Sequence, residues 1–226
     1  MRLLELFAGT GSVGQAFANE GWEVIGLDIN PGHTIKCDIM LWDYKTYPRN
    51  HFDCIHAPPP CTEYSIAKTV GVRDLEKADA IVSKTLDIIA YYNAPFFIIE
   101  NPNTGLLKTR PCFAGMGPYK REITYCMYGL PYRKSTAIWT NLNEHWRERR
   151  PCCKANPCQH MVDGAHPTTA QQGSCKLKGV RRTHDNYSIR DLYRLPAELC
   201  DELARVATAA VRDFLPDSTS ESWSGE

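Results

Sequence analysis

The sequence predicts an α/β domain built on a mostly parallel sheet, and three observations carry that expectation. Short apolar runs alternate with segments of helical period through the first half of the chain. A glycine-rich turn, "FAGTGSVG", joins the first run to its helix. Two further runs end in an acid, Asp28 and Glu100, at the edge where parallel sheets bind ligands.

The elements follow in order. "RLLELF" (2–7) reads as a buried strand, and a helical segment runs from the glycine turn to about Asn19. "WEVIGLD" is the second strand, "CDIM" the end of a short one, and "FDCIHA" (52–57) a third apolar strand. Residues 75–92 carry apolar side chains at 78, 81, 82, 85, 86 and 89, a helical period, and "PFFIIEN" (95–101) is a strongly apolar strand. "LPAELCDELARVATAAVRDFL" closes the fold as a helix with Pro196 in its first turn and Leu199, Leu203, Val206, Ala210 and Phe214 on one face. The expected organisation is a single domain over 1–215, with a small recognition-like insertion over about 105–185 and a polar, disordered tail over 216–226.

With 226 residues, 43% of them hydrophobic, the chain is long enough to bury a real core. Lys+Arg and Asp+Glu are both 26, so total charge argues neither for nor against a nucleic-acid partner. No apolar run suggests a signal peptide or a membrane span, which points to an intracellular protein whose ten cysteines are reduced thiols. Such thiols serve packing, metal binding or nucleophilic attack.

Three sites stand out. In the glycine turn, Gly9 and Gly11 allow close approach of a ligand, and Asp28, about 20 residues on, is placed to accept hydrogen bonds from a ribose diol, with Asp38 near an adenine. Next, "HAPPPCTEYS" frames Cys61 with three prolines, which fix the backbone without donating hydrogen bonds and hold a thiol in place. Finally, Glu100 ends an apolar strand, where its carboxylate would point into the same crevice as Cys61.

In this order, "ELFAGTGSVG", "CDI", "APPPCTEYS" and "IIENP" resemble the motifs of DNA cytosine-5 methyltransferases over roughly residues 3–102. The resemblance implies a Rossmann-like S-adenosylmethionine-dependent methyltransferase fold: a mostly parallel sheet with one antiparallel strand and helices on both faces. It implies that Phe7, Ala8, Gly9, Thr10, Gly11 and Pro58 line the cofactor, Asp28 and Ile29 hold its ribose, and Asp38 and Ile39 its adenine. Cys61 would attack C6 of a cytosine, making C5 nucleophilic, while Glu100 holds N3 and the N4 amino group. The base must be flipped out of DNA or supplied single-stranded.

Where the family carries Gln after the cysteine, this chain has Thr62, and Pro102 follows Glu-Asn. The family's Gln-x-Arg-x-Arg segment reads Tyr132, Lys134 and Thr136, so Arg133 or Lys134 takes the place of the base-contacting arginine. Residues 147–182 hold eight Lys/Arg against two acids, which suits phosphate contacts, and Tyr119, Tyr125, Trp139 and Trp146 suit base stacking. Cys152, Cys153, Cys158, His160, His166 and Cys175 supply ligands for a structural zinc, while Cys37, Cys54, Cys112, Cys126 and Cys200 are assigned to packing. Two other readings fit the same residues: a relative acting on RNA or on a modified cytosine, and a nucleic-acid-binding module that has lost turnover.

Overall fold

A computed structural model describes residues 1–168 and 189–214. The expected tail and Cys175 lie outside these residues. Seven strands make one sheet: β1 (Arg2–Leu6), β2 (Glu23–Asp28), β3 (Ile35–Lys36), β4 (Cys54–Ala57), β5 (Phe96–Pro102), β6 (Lys120–Thr124) and β7 (Ser135–Thr140). Their spatial order is β3-β2-β1-β4-β5-β7-β6. All neighbours from β3 to β5 are parallel, whereas β7 pairs antiparallel with both β5 and β6, so β7 alone runs against the rest. The sheet therefore has the one antiparallel strand that the resemblance implied.

Period-two alternation sorts the core. Leu3, Cys54, Ile98 and Ile138 face one side, packed with α1 (Ser12–Asn19) and α4 (Ala197–Phe214). Leu4, Leu6, Ile55, Ala57, Ile99 and Trp139 face the other, against α2 (Leu75–Tyr92). The boundaries of α2 match the apolar period; Asp74 caps its start by accepting from the Lys77 amide, and Asn93 ends it in the left-handed region. Across the first face, α4 lies on α1, and the buried Trp22 indole donates to Thr208 at 2.7 Å.

The second half of the chain adds two strands to the same sheet. Lys120–Thr124 and Ser135–Thr140, both inside 105–185, are strands of the main sheet, because β7 must cover the outer edge of β5. Of the four aromatics expected to stack bases, Tyr125, Trp139 and Trp146 are buried in the core, and Tyr119 packs edge-on to Phe97. The three buried rings cannot stack a base, whereas Tyr119 is half-exposed. No helix among the described residues is long and apolar enough to cross a membrane.

Leu203, fully buried on the α1-facing side of α4, tests this packing. Leu203→Ala is expected to lower stability by about 2–5 kcal/mol in urea denaturation, the range for truncating a core leucine.

Candidate active site

The alternation that builds the core also gathers polar groups. Glu5 lies two residues beyond Leu3, His56 two beyond Cys54, and Glu100 two beyond Ile98, so all three share the face covered by α1 and α4. Their row borders a cavity of about 840 Å³ at the carboxyl edge of the sheet. One end of it is walled by Phe7, Ala8, Gly9, Thr10, Ser12 and Val13, and the other by Pro58, Pro59, Pro60, Cys61, Glu100 and Lys134.

The loop at the first end is tightly wound: Phe7, Gly9 and Gly11 have φ of 53°, 53° and 69°. For the bulky Phe7 this left-handed conformation is strained, a feature concentrated at ligand sites. Beyond the loop, a Cβ on Gly14 would fall 2.4 Å from Glu5 Oε2, and the Gly14 amide donates to Glu5 Oε1 at 3.1 Å. Only glycine lets α1 lie this close to the buried acid. His56 Nδ1 is 3.8 Å from Glu5 Oε1, and neither ring nitrogen has a hydrogen-bond partner among the described residues.

Not every expected cofactor contact reaches this wall. Asp28 Oδ2 accepts from the Gly9 amide at 2.9 Å, and Oδ1 accepts from the Asn30 amide and side chain. Burial works against the Asp28 carboxylate, but hydrogen bonds from Asn30 and Gly9, helped by His33, outweigh it and hold its pKa below the ordinary value. Asp28 thus braces the glycine loop, and Asn30 and Pro31 stand at the cavity instead. Gly11 also lies off the wall; Ile29 is exposed, and Ile39 is a core residue. Asp38 is exposed and accepts from the Met40 amide in a local turn.

At the other end, three prolines and one hydrogen bond place the thiol. Asn101 Nδ2 donates to Pro59 O at 2.9 Å, joining the end of β5 to the loop that follows β4. The Tyr125 hydroxyl, fully buried, donates to Glu100 Oε1 at 3.2 Å. Lys134 Nζ sits 4.7 Å above the Tyr125 ring and donates to Leu192 O in α3 (Ile189–Tyr193). Of the two basic candidates, Lys134 reaches the cavity, whereas Arg133 is exposed and does not line it. The chain turns after Tyr132, whose side chain is buried, and its next residue faces out.

Burial pushes the Cys61 thiol above its ordinary pKa, the Glu100 carboxylate adds to that, and Lys134 partly offsets it. At neutral pH the resting residue is a thiol, so its proton must leave as the substrate arrives.

Sequence reasoning missed Glu5 and His56, and assigned Tyr125 to base stacking instead of to Glu100. The signal for the first two was present: each is a polar residue at an inward position of an otherwise apolar strand. Tyr125 offered none, since its role depends on a partner 25 residues away.

The cysteine-rich segment also differs from expectation. Cys126, Cys152, Cys158 and His166 are buried with their ligand atoms all within 4.8 Å of one another. Cys126, assigned to packing, belongs to this group. Cys153 is exposed and His160 lies beside Gln159, so neither joins it. Among the basic residues, Arg149 is held by Glu198 and Glu202 and stacks on Tyr128, which makes it a structural clamp and not a phosphate ligand.

A Rossmann-like sheet whose carboxyl edge holds a glycine loop, a proline-framed thiol and a facing carboxyl defines a methyltransferase fold and site. Residues 1–116 match the family model for C-5 cytosine-specific DNA methylase. A protein of Frog virus 3 (isolate Goorha) named "Probable DNA (cytosine-5)-methyltransferase" is 30% identical over 90% of this chain and 98% of its own length. The Entamoeba histolytica methyltransferase EhMeth shares the fold over 93% of this chain and 98% of that one, with a TM-score of 0.57 at 11% identity. The S. pombe Dnmt2 methyltransferase covers 62% of this chain, which spans 49% of that protein, with a TM-score of 0.41 and 17% identity. This chain belongs to the C-5 cytosine-specific DNA methylase family, whose methyl donor is S-adenosylmethionine.

The electrostatics around Cys61 set a test. Glu100→Gln, which removes the neighbouring negative charge, is expected to speed alkylation of Cys61 by iodoacetamide several-fold at pH 7.5. Lys134→Met is expected to slow it, and the wild-type rate should climb steadily from pH 7 to 9. Peptide mass spectrometry reads Cys61 apart from the other thiols.

Proposed function

We propose that this chain methylates C5 of cytosine in DNA through a covalent bond between Cys61 and C6 of the base. The observation that carries this reading is that Cys61 and Glu100, from the ends of the neighbouring strands β4 and β5, line one cavity with the glycine loop. Cytosine C5 is a poor nucleophile. As the Cys61 thiol gives up its proton to the Glu100–N3 pair, addition of its sulfur to C6 shifts the ring electrons onto C5, and the proton now shared between Glu100 and N3 stabilises the charge that builds on the ring. Once C5 carries the methyl group, loss of the C5 proton restores the double bond and expels the thiolate. Tyr125 orients Glu100 by holding one of its oxygens, leaving the other to the base. Lys134 favours the thiolate and sits where a polar edge of the ring would arrive.

The methyl-donor end fits a nucleoside-type molecule. The unpartnered nitrogens of His56 stand at its wall, and no side chain caps the start of α1, which favours a carboxylate there. When bound, S-adenosylmethionine supplies an electrophilic methyl group on a sulfonium sulfur. Phe7, Ala8, Gly9, Thr10, Asn30 and Pro58 would hold it, with Asp28 bracing the loop from behind. The base enters flipped from a duplex or from a single strand, since a stacked cytosine cannot meet a thiol at the sheet edge.

Incubation with S-adenosylmethionine and DNA containing 5-fluorocytosine tests the mechanism, because fluorine cannot leave C5 as the proton does. A covalent protein–DNA complex is expected for the wild type and none for Cys61→Ala. Absence of a wild-type complex, or its survival in Cys61→Ala, overturns the reading. Matched RNA substrates in the same assay locate the nucleic-acid preference.

Tyr125→Phe removes one hydrogen bond to Glu100 and leaves the core aromatic. It is expected to lower kcat/KM about tenfold, or about 1.4 kcal/mol, with little change in stability. Unchanged kinetics would remove Tyr125 from the site.

A further inference from the structure

We propose that Cys126, Cys152, Cys158 and His166 form a closed, tetrahedral zinc site that fastens the segment 151–168 to the catalytic sheet. Cys158 Sγ lies 3.2 Å and Cys152 Sγ 3.8 Å from His166 Nε2, and no pair of ligand atoms in the group exceeds 4.8 Å. Around a tetrahedral zinc, bond lengths of about 2.3 Å to sulfur and about 2.0–2.1 Å to nitrogen separate the ligand atoms by roughly 3.6–3.8 Å. The four groups stand near that spacing, and the three sulfurs are free thiols, not a disulfide.

The local backbone supports ligation. Cys153 and Asn156 exchange backbone hydrogen bonds, as do Val162 and Ala165, so two tight turns separate Cys152 from Cys158 and Cys158 from His166. The second turn has Asp163 and Gly164 at φ of 50° and 76°, the geometry of a two-residue hairpin. Turns of this kind bring ligands back to a common point. The Cys158 amide donates to Cys152 Sγ at 3.3 Å, which orients that sulfur within the group. The Cys152 amide donates to Thr124 Oγ1 at 2.9 Å, which brings the segment against the strand end that carries Cys126. Met127 and Met161, both half-buried, pack against the group, and its four protein ligands are the number a closed structural zinc site takes. Three thiolates and one imidazole carry a net charge of −1 with the ion and match zinc, and binding releases the three thiol protons.

The position matters because Cys126 follows Tyr125 in the turn Tyr125–Tyr128, and Tyr125 holds Glu100. A metal at Cys126 ties the 152–166 segment to the turn that orients the catalytic carboxyl. Without metal, this stretch has only a small sulfur-rich core to keep it folded.

The full-length protein, expressed with zinc in the medium and purified without chelator, provides the test. About one zinc per chain is expected by elemental analysis, retained by Cys61→Ala and Cys153→Ser and lost by Cys158→Ser. Because Cys158→Ser could unfold the segment, a second measurement uses the wild type. Cobalt(II) exchanged into the protein should give the intense visible absorption of a tetrahedral thiolate site. Zinc should protect Cys126, Cys152 and Cys158, but not Cys153, from alkylation. The proposal is overturned if no zinc is retained and the three thiols alkylate equally with and without it. It is equally overturned if protection comes from a disulfide, seen in a non-reducing peptide map, or if Cys153→Ser abolishes binding. None of these outcomes depends on methyl transfer.

Discussion

The hydrogen bond from Asn101 to the carbonyl of Pro59 is the constraint on which the catalytic end of the molecule depends. The loop after β4 contains three prolines, so its backbone has fixed φ values and few donors with which to anchor itself. An external donor must supply the anchor, and Asn101 does so from inside the neighbouring strand. Because Asn101 directly follows Glu100, one strand end both presents the carboxyl and positions the loop that carries the thiol. A shift of β5 would move both groups together, which preserves their relation to a bound base. The hydrogen bond is buried, where water does not compete with it.

A second economy lies in the row Glu5, His56 and Glu100. Burying acids and an imidazole opposes folding unless partners compensate. Glu5 is compensated by the Gly14 amide and Glu100 by Tyr125, while His56 keeps unpartnered nitrogens at the cavity wall. The sheet face that α1 and α4 cover is thus apolar at its amino end and polar toward its carboxyl edge. The same alternation that fills the core with Leu3, Cys54 and Ile98 delivers the functional groups two residues later. Fold and site are one pattern read at successive positions along the strands.

This explains what was legible in the sequence. The strands, the 75–92 helix and the closing helix follow from apolar period and, for the last, from Pro196 in the first turn, which are local. Cys61 and Glu100 follow from ends of apolar runs and from proline framing, also local. Asp28 illustrates the limit: its position at a strand end was readable, but whether its oxygens face a ribose or the Gly9 and Asn30 amides depends on how the loop winds. The stacking aromatics failed for a related reason, since β6 and β7 joined the main sheet and drew Tyr125 and Trp139 into the core. Cys126 sits in an apolar stretch and reads as packing until a turn 26 or more residues later folds back upon it.

The resting protonation of Cys61 links these features to catalysis. A thiol pushed up by burial and by Glu100 is a poor nucleophile in the empty cavity, and it is also resistant to adventitious oxidation and alkylation. When a base occupies the cavity and its N3 shares a proton with Glu100, the negative charge that raises the thiol's pKa is neutralised. Burial alone then opposes Lys134, and the balance moves toward thiolate. In the proposed mechanism the substrate would thus activate its own attacker through the carboxyl that recognises it. The same arrangement would restrain the cysteine when the recognised edge is missing, so that in this mechanism fidelity and reactivity rest on one residue pair brought together by the neighbouring ends of β4 and β5.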